Sequence, residues 1–467
     1  MTIEAIAHDL TEKQREVVDY EGEELLIKGI AGSGKTTVLL NKARKMIKKD
    51  PAIKIGLFTY NKTLSTYAKY IAEQIGPDNL HVYNFHSWAF QPLRQVGNIK
   101  WVKVANTKDR KRYLQQSIKE SSSKQHRFIK DDKFQDFLLE EISWIKGKAI
   151  LTSSDYKDAS RSGRGGDVRV TKKDRDVIFS IYVGYEANKK KDGRLDYDDY
   201  GLMIYQNKGK LSDQYKFDCV MVDEAQDLQQ IQLKLLRYIA KDRFVVAADK
   251  GQKIYKTSFS WKEIGINILG GRTKVLQNSF RSTKQIIQMA NSLQQHDSII
   301  DDEEYVQPVL PEYSGPMPDV FECSSKKEQD AAVIETIKKL RREEPEKTIG
   351  ILSKEWKSTK RFYYSLQAEG IPHEFIEKEK GNAHTPGVKL TSFHSAKGLE
   401  FDYVIIIDLI DEIADKDIQD DEYLEVERRL LYVSITRAKT YLQLYYYGKP
   451  SVFIGEIEEQ FYNKHII

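Results

Sequence analysis

The chain has 467 residues, of which 40% are hydrophobic and 31% charged, so it is too long for one ordinary domain and has the balance of a globular, water-facing protein. Its 74 basic and 70 acidic side chains leave a net charge of +4, so bulk charge does not mark a nucleic-acid binder, and its two cysteines exclude a disulfide framework or a cysteine-rich zinc cage. No apolar run is long enough to cross a bilayer, and the opening MTIEAIAHDL has neither half of a secretory signal, which sets a cytoplasmic expectation.

The first apolar run, ELLIKG, meets a glycine-rich turn and then a helical pattern of Val38, Leu39, Ala43 and Ile47, which predicts strand, turn and helix. IGLFTY at 55 to 60 predicts a second buried strand. From 92 to 195 the chain turns to polar, helix-like stretches such as KDRKRYLQQSIKE and KFQDFLLEEISWIKGKAI, broken by SRSGRGG, and this reads as a helical insertion. The basic residues there, Lys108, Arg110, Lys111 and Arg112, then Arg161, Arg164, Arg169, Lys172 and Lys173, read as solvated faces. DCVMVDEA at 218 to 225 and RFVVAAD at 243 to 249 supply two more strands. A second α/β pattern starts near 276 and includes DVFEC, AAVIETIKKL, TIGILS, VKLTSF and DYVIIIDL. Apolar strands alternating with helices predict parallel sheets covered on both faces. The expected class is therefore α/β with two lobes: residues 1–91 and 196–275 form the first, 92–195 its insertion and 276–467 the second.

GIAGSGKT, Gly29 to Thr36, fits the phosphate-loop spacing of Gly, four residues, Gly, Lys and Ser or Thr, and it follows a strand and opens a helix as that chemistry requires. Gly32 and Gly34 let backbone N–H groups approach phosphates, and Ala31, Ser33 and Thr37 complete the loop. Lys35 is placed to reach the β- and γ-phosphates of ATP, and Thr36 to hold Mg²⁺. VMVDEAQD ends a strand in Asp223 and Glu224, candidates for ordering Mg²⁺ and for accepting a proton from the attacking water.

With these residues in place the chain resembles the UvrD/Rep/PcrA-like helicases of superfamily 1, from about Leu10 to Leu442. That resemblance implies two RecA-like lobes clamping ATP and a 3′ to 5′ motor on single-stranded DNA or a tailed duplex. LTEKQREVV looks like the adenine-reading motif, which implies a base contact by Gln14. AADKGQKIY resembles the coupling motif, with Gln252 sensing the γ-phosphate. NSFRST puts Arg281 at a phosphate-contacting position and Phe280 where a ring stacks on adenine. LTSFHSAKGLEFD puts Glu400 against the ribose, and ERRLLYVSITRAK makes Arg437 the arginine finger of the second lobe. For the strand, the resemblance points to Thr59, Asn61 and Lys62, to Phe85, His86 and Trp88, to Tyr255, and to Thr391, His394 and Ser395.

Two departures stand out. Tyr255, Lys256 and Thr257 lie where the family shows tyrosine, arginine and tryptophan, leaving Phe259 or Trp261 to supply the stacking ring. Only about a hundred residues, the size of one lobe, separate Arg281 from HSAKGLEF, so the family's large second-lobe insertion is absent or vestigial. An alternative follows from this compactness: a nucleotide-switched DNA-binding subunit that recruits or gates a nuclease.

Overall fold

The computed structural model describes residues 10–59, 72–76, 78–161, 168–254, 259–376, 383, 385–411 and 421–467. Asn61, Lys62, Arg164 and Tyr255 lie outside the described residues. Two parallel sheets dominate, as the alternation of apolar runs and helices predicts.

The first sheet contains β1 (Glu24–Gly29), β2 (Ile55–Thr59), β3 (Leu80–Asn84), β6 (Phe217–Asp223), β7 (Ala240–Ala248) and β8 (Thr273–Leu276) in the order β3-β2-β6-β7-β1-β8. The small pair β4 (Lys103–Val104) and β5 (Arg194–Leu195) stands apart. The registers pair Thr59 with Asp223 and with Asn84, and Lys28 with Ala248, so the carboxyl ends of these strands form one edge. Ligands of open parallel sheets bind at that edge. Helices cover both faces over two apolar layers, one holding Val38, Leu39 and Met221, the other Phe85, Trp88 and Val222.

The second sheet joins β9 (Asp319–Cys323), β10 (Thr348–Ser353), β11 (His373–Phe375), β12 (Gly387–Ser392), β13 (Phe401–Ile406), β14 (Ala438–Tyr447) and β15 (Asn463–Ile466) in the order β11-β12-β10-β13-β14-β9-β15. Its central strands are buried on both faces, with Ile349, Ile351, Val404 and Ile405 fully inaccessible.

Helix Phe85–Gly97 runs through Pro92, and its Leu93 and Val96 belong to the core of the first sheet. The separate helical core therefore begins at Ala105, not at residue 92, and extends to Tyr185 around Leu138, Ile142 and Ile178. Among the described residues no helix is long and apolar enough to cross a membrane.

A candidate nucleotide cleft between two sheets

The phosphate loop leaves β1 and turns through Gly32 and Gly34, both at positive φ, into the helix Lys35–Lys49. A side chain at either glycine would collide: a Cβ on Gly32 would sit 2.7 Å from Arg281 Cβ and from Ser279 Oγ, and one on Gly34 would sit 2.7 Å from Gln14 Nε2. The loop is thus pinched between the start of the chain's first described helix and the 279–281 segment, and the Phe280 N–H donates to the Gly32 carbonyl at 2.9 Å.

Lys35 is buried, and its ammonium donates to the Gly29 and Ile30 carbonyls at 3.0 and 2.9 Å and to Asp249 at 3.3 Å. Thr36 Oγ1 donates to Asp223 Oδ2 at 2.5 Å, bringing together two hard oxygen donors of the kind Mg²⁺ takes. Burial, then the neighbouring Glu224, pushes the Asp223 carboxyl up to about 6. Burial also acts to raise Glu224, but Lys35 and Lys397 outweigh it and hold that carboxyl below its usual range, ready to accept a proton. Glu224 adopts φ 52°, left-handed backbone that costs a non-glycine residue energy and is concentrated at functional sites. Ser33 Oγ and Ser279 Oγ are buried without a hydrogen-bond partner, both at the loop. Orphaned donors facing a glycine-lined cradle fit a polyphosphate.

Gln14, expected to contact the base, closes one side of the loop. Its amide nitrogen donates to the Ser33 carbonyl at 3.1 Å, while its oxygen accepts from the Thr11 N–H at 3.1 Å in a capping box. A cleft of about 210 Å³ opens there, lined by Thr11, Lys13, Gln14, Ser33, Gln277 and the exposed Phe280.

The second half of the molecule reaches the same place. Arg437 is buried, and its Nη2 donates to Gln252 Oε1 at 2.8 Å, while Gln252 Nε2 donates to Asp249 at 2.5 Å. Burial, then the Arg281 charge, lowers the Arg437 guanidinium to about 9. Arg281 Nε donates to Glu400 at 2.9 Å, and Lys439 pairs with the other oxygen at 2.9 Å. Burial opposes ionisation of Glu400, yet Arg281 and Lys439 outweigh it and bring the carboxyl down to about 2. Sequence reasoning missed Asp249, Asp227 and Lys397. Lys397 donates to Asp227 at 2.8 Å and to the Gln252 carbonyl at 2.6 Å, an ion pair across the seam. Both residues lie inside stretches already singled out, DEAQD and HSAKGLEFD, but spacing cannot show that they meet.

The residues expected to contact the strand fare unevenly. Phe85 and Trp261, at 1% and 4% exposure, are core rings and offer no face to a base, which corrects the expectation for both. Thr59 and Thr391 are also buried, the latter donating to the Ile376 carbonyl at 3.1 Å. His86 is half-buried among Tyr197 and Tyr200, Phe259 lies half-buried against Trp261, and His394 is exposed beside half-buried Ser395.

The family model described as UvrD/REP helicase N-terminal domain matches residues 10–265, and that described as UvrD-like helicase C-terminal domain matches residues 377–449. The probable DNA helicase II homolog of Mycoplasma capricolum is 26% identical over 337 residues, 66% of this chain and 44% of its own length. The ATP-dependent DNA helicase PcrA of Leuconostoc citreum is 23% identical over 323 residues, 64% of this chain and 40% of its own. A solved structure, the C-terminal domain of a possible DNA helicase from Lactobacillus plantarum WCFS1, is 24% identical and covers 40% of this chain and 98% of its own at a TM-score of 0.31, too low to carry structural weight. The chain spans about two fifths of the length of the curated relatives it matches. With the first family model covering more than half of its length, the chain belongs to the UvrD/Rep helicase family.

Proposed function

We propose that this protein is an ATP-driven motor that moves 3′ to 5′ along single-stranded DNA and opens duplexes carrying a single-stranded tail. The names of its relatives, DNA helicases, support DNA as the track and ATP as the fuel. The observation that carries the reading is Arg437, reaching from the far side of the seam to Gln252, which in turn holds the Asp249 partner of Lys35. Phosphoryl transfer spreads charge over the γ-phosphate oxygens, so a guanidinium delivered by closure makes hydrolysis and lobe movement one event.

In this reading Lys35 exchanges its carbonyl partners for the β- and γ-phosphates, and Ser33 and Ser279 donate their free hydroxyls. Thr36 and Asp223 would hold Mg²⁺, which would offset the charge of the phosphates. Glu224, kept ionised by Lys35 and Lys397, takes the proton of the attacking water. Arg281 and Arg437 flank the γ-phosphate, and Glu400 and Phe280 orient the ribose and base. His86, Phe259, His394 and Ser395 contact the strand.

The test is ATP hydrolysis with and without single-stranded DNA, together with strand displacement on duplexes bearing a 3′ or a 5′ tail. Stimulated hydrolysis and opening from the 3′ tail are expected. Lys35→Ala and Glu224→Gln should each lower turnover by about a hundredfold or more, in the range of a lost charge-stabilising or proton-accepting group. Turnover indifferent to any nucleic acid would overturn the reading.

A further inference from the structure

With Phe85 and Trp261 sealed in the core, a motor on this scaffold still needs an aromatic face for bases to stack on. The large exposed rings outside the nucleotide cleft include Trp356, 37% exposed, at the first position of the helix Trp356–Ala368. That position follows the carboxyl end of β10, the edge on which a parallel sheet binds its ligands. Register places Ser353, the last residue of β10, beside Ser392, the last of β12, so Trp356 and His394 follow neighbouring strand ends.

The ring is braced. Trp356 lies against Phe375 with centroids 5.1 Å apart, and Phe375 is stacked on Tyr363 at 4.7 Å with an interplanar angle of 6°. The turn beneath it is tied by Ser353 Oγ, which bonds the Glu355 carbonyl at 3.0 Å and Thr359 Oγ1 at 2.6 Å. A rigid aromatic stack left open on one side suits a flat partner better than a mobile one. Charge points to the same occupant: Lys357 is 79% exposed, with an acidic neighbour no nearer than Glu355 at 3.9 Å, and Lys360 is exposed one turn along. Cations flanking an open ring match a phosphodiester chain that presents a base between phosphates.

We infer that Trp356, backed by Phe375 and Tyr363, is the second-lobe stacking platform for a base of single-stranded DNA, with Lys357 and Lys360 on the adjoining phosphates. The inference rests on the motor reading above and adds to it a residue that no spacing or resemblance picked out.

The experiment is an oligo-dT titration of the full chain in a Trp101→Phe background, which removes the other highly exposed indole; Trp88, Trp144 and Trp261 are 4–6% exposed. Binding is followed both by tryptophan fluorescence and by anisotropy of a labelled oligonucleotide. Oligo-dT should quench the remaining accessible indole. Adding Trp356→Phe should abolish the quench while leaving anisotropy affinity within about threefold, and Trp356→Ala should weaken it about tenfold, in line with the loss of one stacked base. Nucleotide affinity should not move in either variant. If the parent binds oligo-dT but Trp356→Ala binds equally well, or no quench appears, the platform is wrong and the motor reading stands. If the parent binds no single strand at all, both fall.

Discussion

Asp227 holds its carboxylate 2.7 Å from the Lys397 ammonium, with 1% and 6% of the two side chains exposed. Burial, followed by the charge of Glu224, pushes Asp227 up to about 7 from its ordinary 3.8, even though Lys397 pulls the other way. Between about pH 4 and about pH 7 the folded chain therefore keeps a proton that the unfolded chain releases, and stability must fall as pH rises through that window and level off above it. Asp227→Asn cannot titrate. The melting temperature of the wild type minus that of Asp227→Asn should decline from about pH 5 to about pH 7 and stay constant beyond, as read by thermal unfolding in matched buffers. A difference that is flat throughout would mean that Asp227 is already ionised in the folded chain. This pair also marks where residue-level reading runs out: 170 positions separate its members, and such a contact is made by lobe docking, which local pattern does not encode. The phosphate loop was legible for the opposite reason, because its glycines, Lys35 and Thr36 are consecutive and their geometry is local. Phe85 and Trp261 misled because an aromatic side chain looks the same in sequence whether it packs or stacks.

Among elements, the helical insertion carries an unusual centre. Lys146 and Lys189, both almost fully buried, sit on Glu186, Asp196 and Asp199, with the Lys146 ammonium 2.6, 2.7 and 2.8 Å from the three carboxylates. Three converging carboxylates are what a metal ion would use, yet two ammonium groups already fill the space between them. Asp196 also caps the helix Tyr197–Gln206, whose Tyr200 and Ile204 enter the core of the first sheet, so the cluster fastens the insertion to the lobe that carries it. Lys146→Met leaves buried anions short of a cation, and losing one member of such a pair costs about 3–5 kcal/mol. Urea unfolding should show a destabilisation of that size, with nucleotide binding unaltered below the transition. A loss under about 1 kcal/mol would show that Lys189 alone compensates the acids. The long strands were legible as unbroken apolar runs, whereas the two-residue strands β4 and β5 and the polar β15, NKHI, carry no such pattern and exist because neighbouring backbone is there to pair with. The boundary expected at residue 92, where the sequence turns polar, falls inside the helix Phe85–Gly97, since Leu93 and Val96 still have apolar partners beyond it.

Across the whole molecule one chain of contacts runs from the phosphate loop to the far sheet: Lys35 to Asp249, Asp249 to Gln252, Gln252 to Arg437. Each link is shorter than 3.4 Å and buried, so a change of partner at one end leaves a polar group unpaired further along. In the proposed motor cycle, Lys35 turning to a phosphate would cost Asp249 a cation while leaving it Gln252, and Arg437 turning to the same phosphate would release its bond to Gln252. Lys397, bonded to the Gln252 carbonyl and to Asp227, is a second buried tie across the seam. Gln252→Ala cuts the chain at its middle without touching the glycine loop or either acid at the end of β6. Nucleotide affinity should stay within about threefold of the wild type, while the stimulation of hydrolysis by single-stranded DNA should drop about tenfold or more, because a coupling energy is lost and a binding energy is not. Steady-state hydrolysis with and without oligo-dT, alongside equilibrium nucleotide binding, separates the two quantities. Stimulation that survives in Gln252→Ala would put the coupling on the Lys397 side of the seam, where Asp227 and not Gln252 is the residue that must let go.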